Sequence, residues 1–565
     1  MTRYPRVLPV GDRAATVEIG DVIDPALNAR VRALDQALAE SELPGLIESV
    51  PTYRSLLITY DPGLLDFGRL RAEVIELSAR PGLVAPAGRL HRIPTRYGDE
   101  DGPDLGPVAR ALGLSESEVV RLHGSAEHTA FMIGFMPGFA YLGVLPEILD
   151  TPRRSTPRTR VPRGSVAVAG RQTGIYPAAS PGGWNLIGRT GVRLFDPWAE
   201  SPALISPGDR VLFTAVQELP DPPEAAREQG VAVGLAPAAE VLEGGLLTTV
   251  QDGGRVGFRR LGVGGAGPMD PRALATANRL LGNQPGDAAL EITVLGPVLR
   301  FLVPTFFAIT GADLDPLLDR ADLAGWRVPP GRRVLARPGN VLRFAGRRSG
   351  CRAYLAFAGG LAVPRVLGSR STDLAGGFGG IEGRSLRTGD LLRLGSARGE
   401  PLEGSGAPAP PAGESTLRVV LGPQQEQFAP EVIRRFLSAS FAVSEASNRV
   451  GYRLEGPRLD RRDRAEMVTD GMVPGCVQVP PDGQPIVMMA DGPTTGGYPK
   501  IATVLSVDLG RLAQLAPGDA VRFEAVSIEE AQAHRAKAGG GSEPRPSPSS
   551  SRAASNGLKA GLDPV

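Results

Sequence analysis

Three loops near the C-terminus carry side chains suited to acid–base chemistry. They are rich in glycine and proline, they are joined by strand-like runs such as Pro485–Ala490, and they hold three carboxylates, two threonine hydroxyls and one lysine. Carboxylates at such positions can orient a water molecule or a lysine for proton transfer. The candidate residues in these loops are Asp470, Gln484, Asp491, Thr494, Thr495, Gly496, Gly497, Tyr498 and Lys500.

Lys500 is the only lysine before residue 537 in a chain whose positive charges are otherwise almost all arginines. The pKa of a lysine falls when its ammonium is desolvated, which suits a general acid or base, and the charged form can stabilise an oxyanion. The alternative interpretation is an ordinary hairpin with an exposed lysine. The G-x-x-x-x-G-K-[ST] phosphate-binding motif is absent, so a conventional nucleotide site is not predicted here.

A second candidate region, residues 151–172, contains six arginines and no acidic residue. Guanidinium groups bind carboxylates and phosphates through two parallel hydrogen bonds, so this segment suits an anionic substrate. A solvated arm, or a strip that forms salt bridges to another domain, is the alternative. The arginines are Arg153, Arg154, Arg158, Arg160, Arg163 and Arg171.

The residues that follow combine glycines with amide, hydroxyl and aromatic groups. Gln172–Pro177 and Ser180–Asn185 would let a ligand approach the backbone, while Tyr176 or Trp184 could form a pocket wall. The upstream loop Gly134–Leu142 has a similar composition, but its apolar residues favour a place in the core.

Several function classes are excluded by what the sequence lacks. The histidines, His91, His123, His128 and His534, show no paired metal-ligand spacing, and Cys351 and Cys476 are too few for a disulfide framework. No Gly-x-Ser-x-Gly elbow or Cys/His couple is present, which argues against serine and zinc hydrolases. We therefore expect a metal-free cytoplasmic protein.

Composition sets the scale of the fold. The 565 residues exceed what one core can organise, and 73 glycines with 53 prolines would suggest disorder if 42% of the residues were not hydrophobic. With 62 basic and 61 acidic residues, nucleic-acid and acidic-membrane partners are not expected, and small molecules or proteins are. No signal-peptide h-region and no apolar run long enough to span a membrane occurs.

Hydrophobic periodicity divides the chain into an α+β start followed by β-rich modules. Residues 25–39 and 64–79 have helical spacing, and the Ser115 to Glu118 stretch predicts a capping box at a helix start. The expected units are a small α+β domain (1–85), a β-barrel (86–217), a linker (218–233), a second barrel (234–395), a Pro/Gly linker (396–415), a third barrel (416–527), and a short helix with a disordered tail (528–565).

A repeated turn supports related β modules. Pro207-Gly208-Asp209 is echoed at Pro338-Gly339-Asn340, Thr388-Gly389-Asp390 and Pro517-Gly518-Asp519, each time before an alternating strand. Proline presets φ and glycine tolerates positive φ, so each copy predicts a tight turn that delivers a strand. Chance reuse of a common hairpin is the alternative.

Long ungapped segments resemble a known pair of families. Residues 1–215, through GFMPGFAYLGVL and TPRRSTPRTRVPRGSVAVAGRQTGIYPAASPGGWNLIGRT, resemble allophanate hydrolase subunit 1, also called the B-type subunit of 5-oxoprolinase or the sporulation-kinase-inhibitor family. Residues 240–525, through GPMDPRALATANRLLGN and DGMVPGCVQVPPDGQPIVMMADGPTTGGYPKIATV, resemble allophanate hydrolase subunit 2, or the C-type subunit of 5-oxoprolinase. The resemblance implies a mainly β chain with an α+β N-terminal domain, one cyclophilin-like barrel in the first half and two pseudo-related ones in the second.

The resemblance also implies a function. Both modules would work with a separate A-type 5-oxoprolinase subunit of the lactam-utilisation type in the ATP-dependent opening of 5-oxoproline to glutamate, with the ATP site shared with that partner and not locatable from sequence. The same modules form the carboxyltransferase part of urea carboxylase, which needs carboxybiotin, but Tyr-Pro-Lys-Ile around Lys500 is no biotinylation site, so no covalent biotin is expected on this chain. Kinase inhibition is a third alternative, and a homo-oligomer remains compatible with the sequence.

Within the preferred alternative, phosphorylation of the lactam oxygen would make the ring carbon electrophilic and water would open the ring. Arg158, Arg160, Gln172 and Tyr176 would hold a substrate carboxylate or phosphate. Negative charge would be stabilised by Lys500 together with Thr494, Thr495 and the Gly496-Gly497 backbone, and Asp470 or Asp491 would orient water or the lysine. The expected site is the cleft between the two halves.

Overall fold

The computed structural model describes residues 4–219, 234–321, 323–397, 399–400, 413–462 and 467–538. Most of both predicted linkers and the tail beyond residue 538 lie outside these residues. The described part is dominated by β-strands, which confirms the predicted fold class. Within it, no helix is long and apolar enough to cross a membrane.

The N-terminal unit is a four-stranded antiparallel sheet covered by two helices, where the sequence predicts an α+β unit with two helices. Asp24 begins the first helix by accepting hydrogen bonds from the N–H groups of Ala26 and Leu27, and Val31 and Leu34 pack from that helix onto the sheet. The second helix begins three residues later than the periodicity suggested, because Asp66 caps it. The strands are β1 (Arg6–Pro9), β2 (Ala14–Glu18), β3 (Leu46–Pro51) and β4 (Ser55–Tyr60), and the helices are α1 (Pro25–Glu40) and α2 (Phe67–Ala79). The order of the strands in the sheet is β1-β2-β4-β3.

The next unit contains a closed seven-stranded barrel. Its elements are β5 (Leu90–Tyr97), α3 (Leu105–Leu112), α4 (Glu116–Gly124), β6 (His128–Ile133), β7 (Ala140–Gly143), β8 (Arg158–Val161), β9 (Ser165–Ala169), β10 (Gln172–Ile175), β11 (Ser180–Gly182), β12 (Asn185–Arg189) and β13 (Arg210–Ala215). The ring runs β5-β12-β9-β10-β7-β6-β13 and returns to β5, while β8 and β11 form a separate ribbon. The predicted capping box of Ser115 and Glu118 begins α4.

The last unit contains a second closed barrel. Its elements are β25 (Ser415–Leu421), α6 (Pro430–Ser438), β26 (Phe441–Val443), β27 (Gly451–Glu455), β28 (Asp470–Gly471), β29 (Cys476–Gln478), β30 (Ile486–Met488), β31 (Thr495–Gly496), β32 (Lys500–Val504), α7 (Leu509–Ala513), β33 (Ala520–Ala525) and α8 (Ile528–Lys537). The ring runs β25-β32-β29-β30-β27-β26-β33 and returns to β25. If the ring strands of each barrel are numbered in chain order, both barrels have the same spatial order, so the two are topological copies.

In the middle unit, residues 234–395, where the sequence predicts a barrel, the described strands instead lie in two sheets around one core and do not close into one ring. Its elements are β14 (Pro237–Glu243), β15 (Leu247–Gln251), α5 (Pro271–Arg279), β16 (Ala289–Thr293), β17 (Val298–Phe301), β18 (Thr305–Asp313), β19 (Pro316–Asp319), β20 (Trp326–Arg327), β21 (Arg333–Ala336), β22 (Val341–Phe344), β23 (Ser349–Phe357) and β24 (Leu391–Arg393). The sheets are β20-β19-β22-β17-β14-β24 and β15-β16-β23-β18-β21. Their facing apolar side chains, Phe301, Phe307 and Phe357 among them, form a single core.

The repeated turn is present at all four positions. Gly208, Gly339, Gly389 and Gly518 have φ between 84° and 96°, the left-handed region that favours glycine. In each turn the following Asp or Asn accepts a hydrogen bond from the backbone N–H three residues before it, at 2.7–2.9 Å. The four copies precede β13, β22, β24 and β33, so this prediction is confirmed.

The N-terminal unit docks onto the second half of the chain. Val10, Val50 and Leu57 share one apolar cluster with Met472 and Cys476 of the last unit. Polar contacts surround this cluster, including Asp12 with Ser506 at 2.6 and 2.8 Å and Asp35 with Arg260 at 2.8 Å. The two halves are therefore one packed body at this junction.

Candidate active site at the junction of the two halves

Lys500 is fully buried at the start of β32. Its ammonium donates to Oδ2 of Asp470 at 2.6 Å and to the carbonyl of Gly471 at 2.8 Å. The interpretation of Lys500 as an exposed hairpin lysine is therefore wrong. An ammonium has three N–H donors, and these contacts use two of them.

Asp470 connects this lysine to the other half of the chain. Its carboxylate accepts a 2.5 Å hydrogen bond from the hydroxyl of Ser55 in β4 and a 3.1 Å bond from the amide of Gln424. Burial alone would raise the pKa of the Asp470 carboxyl, but the charge and hydrogen bond of Lys500, with the bond from Ser55, hold that pKa below its usual range. The pair is therefore a buried carboxylate and its counter-ion, held in place by Ser55 of the first half and Gln424 of the second half.

Thr494 and Thr495 lie next to this pair, since the short strand β31 pairs with β28. Asp470 lies opposite Gly496, and a side chain at that glycine would collide with Gln478 and Met472. Thr495 accepts a 3.1 Å hydrogen bond from the N–H of Phe135 in the first half. The hydroxyl of Thr494 is buried and has no hydrogen-bond partner among the described residues.

An aromatic cluster from the first half faces Thr495. Tyr141 forms a hydrogen bond with Thr495, and Tyr53, Tyr176 and Trp184 pack with Tyr141 and Phe139 at ring-centroid distances of 4.8–6.0 Å. Burial raises the pKa of Tyr141 and of Tyr176 to about 12, and that of Tyr53 well above its usual value. These phenols therefore stay neutral donors at physiological pH.

The predicted arginine segment lies at the edge of this cluster. Both terminal nitrogens of Arg158 donate to Asp104 at 2.8 Å, and Arg154 donates to the same carboxylate at 2.9 Å. Two guanidinium groups thus share one carboxylate, which leaves a net positive charge. Arg160 is exposed on the same strand, and Gln172 is half-buried at the start of β10.

Four other candidates lie in different surroundings. Asp491 forms a buried ion pair with Arg449 of the same unit, and Arg449 also binds Glu291 of the middle unit, so the cation beside Asp491 is Arg449 and not Lys500. Gln484 exchanges hydrogen bonds with the backbone of Gly456. Tyr498 is exposed, while a β-carbon added at Gly497 would lie no closer than 3.8 Å to any neighbouring atom.

Sequence reasoning missed four residues of this site. Ser55, Gln424, Tyr53 and Tyr141 have no motif of their own, and Ser55 is 415 residues away from the carboxylate that it binds. The one indirect signal for Tyr141 is its place in Gly134–Leu142, a segment whose composition resembles that of the ligand-binding loops but whose apolar residues favour the core. Tyr141 is indeed buried there, and it also reaches Thr495.

This arrangement can bind a small polar ligand and stabilise negative charge on it. Lys500 supplies a cation held by Asp470, Tyr53 and Thr494 supply hydroxyls without partners among the described residues, and the aromatic rings supply an apolar wall. Fixed donors in a buried site act strongly on charge that develops during a reaction, because little water screens them. The first half and the second half each provide part of the set.

Two parts of the chain match known protein families. "Carboxyltransferase domain, subdomain C and D" matches residues 5–205, and "Carboxyltransferase domain, subdomain A and B" matches residues 261–525. Over 293 residues the chain is 42% identical to the C-type subunit of 5-oxoprolinase from Escherichia coli (strain K12), a match that covers 52% of this chain and 92% of that protein. Over 213 residues it is 41% identical to the B-type subunit of 5-oxoprolinase from Escherichia coli O157:H7, a match that covers 37% of this chain and 95% of that protein.

Two further similarities extend this comparison. Urea amidolyase of Lachancea kluyveri is 35% identical over 326 residues, which covers 52% of this chain but 17% of that longer protein. The crystal structure of TTHA0988 matches with a TM-score of 0.80 and 40% identity, over 91% of this chain and 99% of that one. The arrangement of both halves in one body therefore has a solved counterpart.

Proposed function

Because the chain belongs to the family of B-type and C-type 5-oxoprolinase subunits and fuses one of each type, we propose that it acts with a separate A-type subunit in the ATP-dependent hydrolysis of 5-oxoproline to glutamate. The observation that carries this proposal is the hydrogen bond from Ser55 to Asp470, which builds one buried site from both halves. A cytoplasmic location is part of the proposal, because Cys351 and Cys476 are both free thiols.

In the proposed mechanism, Lys500 stabilises the negative charge that develops on the oxygen of the cyclic amide as the ring opens. Its remaining N–H donor and the hydroxyls of Thr494 and Thr495 would surround that oxygen, with the Gly496-Gly497 backbone close by. Asp470 keeps the ammonium oriented. Asp491 is already bound to Arg449, so the geometry favours Asp470 for this positioning role.

Substrate binding is proposed for the first-half residues around the aromatic cluster. Tyr176 and Trp184 would pack against the apolar part of the ring. The net positive charge of Arg158 and its neighbours, with the exposed Arg160 and the Gln172 amide, would attract the substrate carboxylate. Because Arg158 is held by Asp104, we expect it to act through charge more than through direct contact.

The cavity at the centre of the chain is small for a complete ATP molecule. The sequence lacks a phosphate-binding loop motif, and the cavity at the centre of the chain measures about 280 Å³, whereas pockets for ligands of drug size span roughly 300–1,000 Å³. We therefore propose that ATP binds chiefly to the A-type partner, and no step on this chain is assigned to it. Covalent biotin is likewise not expected, because Lys500 is buried.

A carboxyltransferase component is the second candidate function. It is favoured by the carboxyltransferase domain families that both halves match and by the similarity to urea amidolyase. The same buried cation could then stabilise negative charge on an amide that accepts a carboxyl group. This function would need carboxybiotin carried by another chain.

Coexpression with a candidate A-type partner tests these alternatives. We expect the purified complex to hydrolyse ATP only when 5-oxoproline is present and to release glutamate in equal amount. The control replaces 5-oxoproline with urea and supplies a biotinylated carrier protein. Turnover of urea with carboxybiotin, together with no turnover of 5-oxoproline, would contradict the preferred function and support the second.

A further inference from the structure

A separate cavity lies where the N-terminal unit, the middle unit and the last unit meet. It measures about 280 Å³ and takes its walls from β2 and β3, from the loops on either side of α5, and from the ends of β30 and β32. Lys500, Asp470 and the aromatic cluster do not contribute to its lining. Its charged lining residues are Asp12, Arg13, Glu48, Arg255 and Arg259.

Both acidic residues of this cavity already have donors. Asp12 accepts hydrogen bonds from the N–H and the hydroxyl of Ser506 at 2.8 and 2.6 Å. Glu48 accepts from the N–H groups of Gly257 and Arg259 at 3.0 and 3.2 Å. The carboxylates therefore do not require a cation from solution.

Two of the arginines lack acceptors for part of their hydrogen-bonding capacity. Arg255 donates to the carbonyls of Val366 and Ser371, but its Nη1 has no hydrogen-bond partner among the described residues. Arg259 donates to the carbonyl of Met472, and its Nε lies 3.8 Å from Glu48 without forming a hydrogen bond. A buried N–H group is stabilised when an acceptor reaches it. These two arginines therefore favour a ligand that brings an acceptor into the cavity.

The remaining walls are largely apolar and come from all three units. Val10 and Ile47 belong to the first, Met269 and Leu274 to the second, and Met489 to the third. A ligand that fits must therefore combine a compact apolar body with an anionic acceptor. At about 280 Å³ the cavity has room for a small organic acid.

We propose that this cavity is a binding site for a small organic carboxylate, separate from the Lys500 site and independent of the proposed reaction. The carboxylate lies on the Arg255 and Arg259 side, and the apolar body lies between Ile47 and Met489. Because the walls come from three units, binding would also hold the two halves of the chain together.

The test uses 3-bromobenzoate, which has a carboxylate, an apolar ring and a bromine that anomalous diffraction can locate. The uncharged control ligand is 3-bromobenzamide. Crystals of the full chain soaked in each compound should show bromine in the cavity for the benzoate and not for the benzamide. No bromine in the cavity, or equal occupancy for both compounds, would overturn the proposal.

Calorimetric titration of the same compounds into variants gives a second test, in which the affinity should fall in one variant and rise in another. Arg255→Met should weaken 3-bromobenzoate binding about tenfold, because one charge-assisted contact is lost. Glu48→Gln should tighten it, because a negative charge beside the ligand is removed, and misfolding cannot produce that direction. Arg71→Met, on the exposed face of α2, should change nothing. Unchanged affinity in both cavity variants would overturn the proposal.

Discussion

The hydroxyl of Ser55 donates a 2.5 Å hydrogen bond to Asp470, although 415 residues of sequence separate them. Ser55 belongs to the N-terminal sheet, and Asp470 holds the ammonium of Lys500 in the last unit. A residue of the first half therefore sets the position of the proposed cation in the second half.

Ser55→Ala should lower kcat of the assembled complex about tenfold, because one of the bonds that position Asp470 is lost. The free energy of unfolding should fall by only about 1 kcal/mol. Steady-state assays and chemical denaturation measure the two effects. Ser78→Ala, which removes an exposed hydroxyl bound within α2, is the matched control, and an equal loss of activity in both variants would contradict the positioning role.

Removal of one member of the Lys500–Asp470 pair should be far more destabilising than removal of both. Lys500→Met leaves a buried carboxylate without its cation, which costs about 3–5 kcal/mol. The double variant Lys500→Met, Asp470→Leu should regain most of that stability, because an apolar pair can replace a buried ion pair. The double variant should nevertheless remain inactive. Chemical denaturation measures the stability of each variant, and turnover assays measure its activity. Activity in the stable double variant would remove Lys500 from catalysis.

The two halves should associate when they are produced as separate chains, residues 1–219 and 234–565. Their contact includes the apolar cluster around Leu57 and Met472. Gly471→Ala should weaken this association about tenfold or more, since the new methyl group would lie 2.6 Å from the side chain of Leu57. Calorimetry measures the affinity. Gly63→Ala, where the nearest atom is 3.4 Å away, should leave it unchanged.

His123 should make the first barrel less stable in mild acid. Burial, with a smaller effect from the neighbouring His128, holds the pKa of His123 well below 6.5, and the ring is bound by Tyr97 and Thr173 at 2.7 and 2.8 Å. Below pH 6.5 the unfolded chain therefore binds a proton that the folded chain does not, so stability falls as pH falls.

The slope from His123 should be about 1.4 kcal/mol per pH unit below that point. His123→Gln should reduce the slope measured by denaturant titration between pH 6.5 and about pH 5. Ser78→Ala on α2, which removes no titratable group, is the comparison variant, and it should retain the full slope. An unchanged slope in His123→Gln would show that the folded barrel accepts the proton.

Local signals in the sequence predicted local structure well. The glycine turns before β13 and β33 and the capping box at Ser115 depend on neighbouring residues, so the sequence contains all the information they need. The rarity of lysine likewise drew attention to Lys500. Ser55 and Tyr53 could not be found in this way, because their roles arise only when distant segments pack. For the same reason Asp470 and Asp491 could not be told apart until their partners, Lys500 and Arg449, were known.

Both barrels close by pairing their first strand with their last, in parallel, with Leu90 opposite Arg210 and Ser415 opposite Val521. A ribosome makes the chain from the N-terminus, so neither barrel can acquire this seam until its final strand has emerged. Until then the first strand presents an unpaired edge that other chains could join. Each barrel therefore depends on the strand that follows its last glycine turn, the part of the barrel synthesised last, to cover this edge.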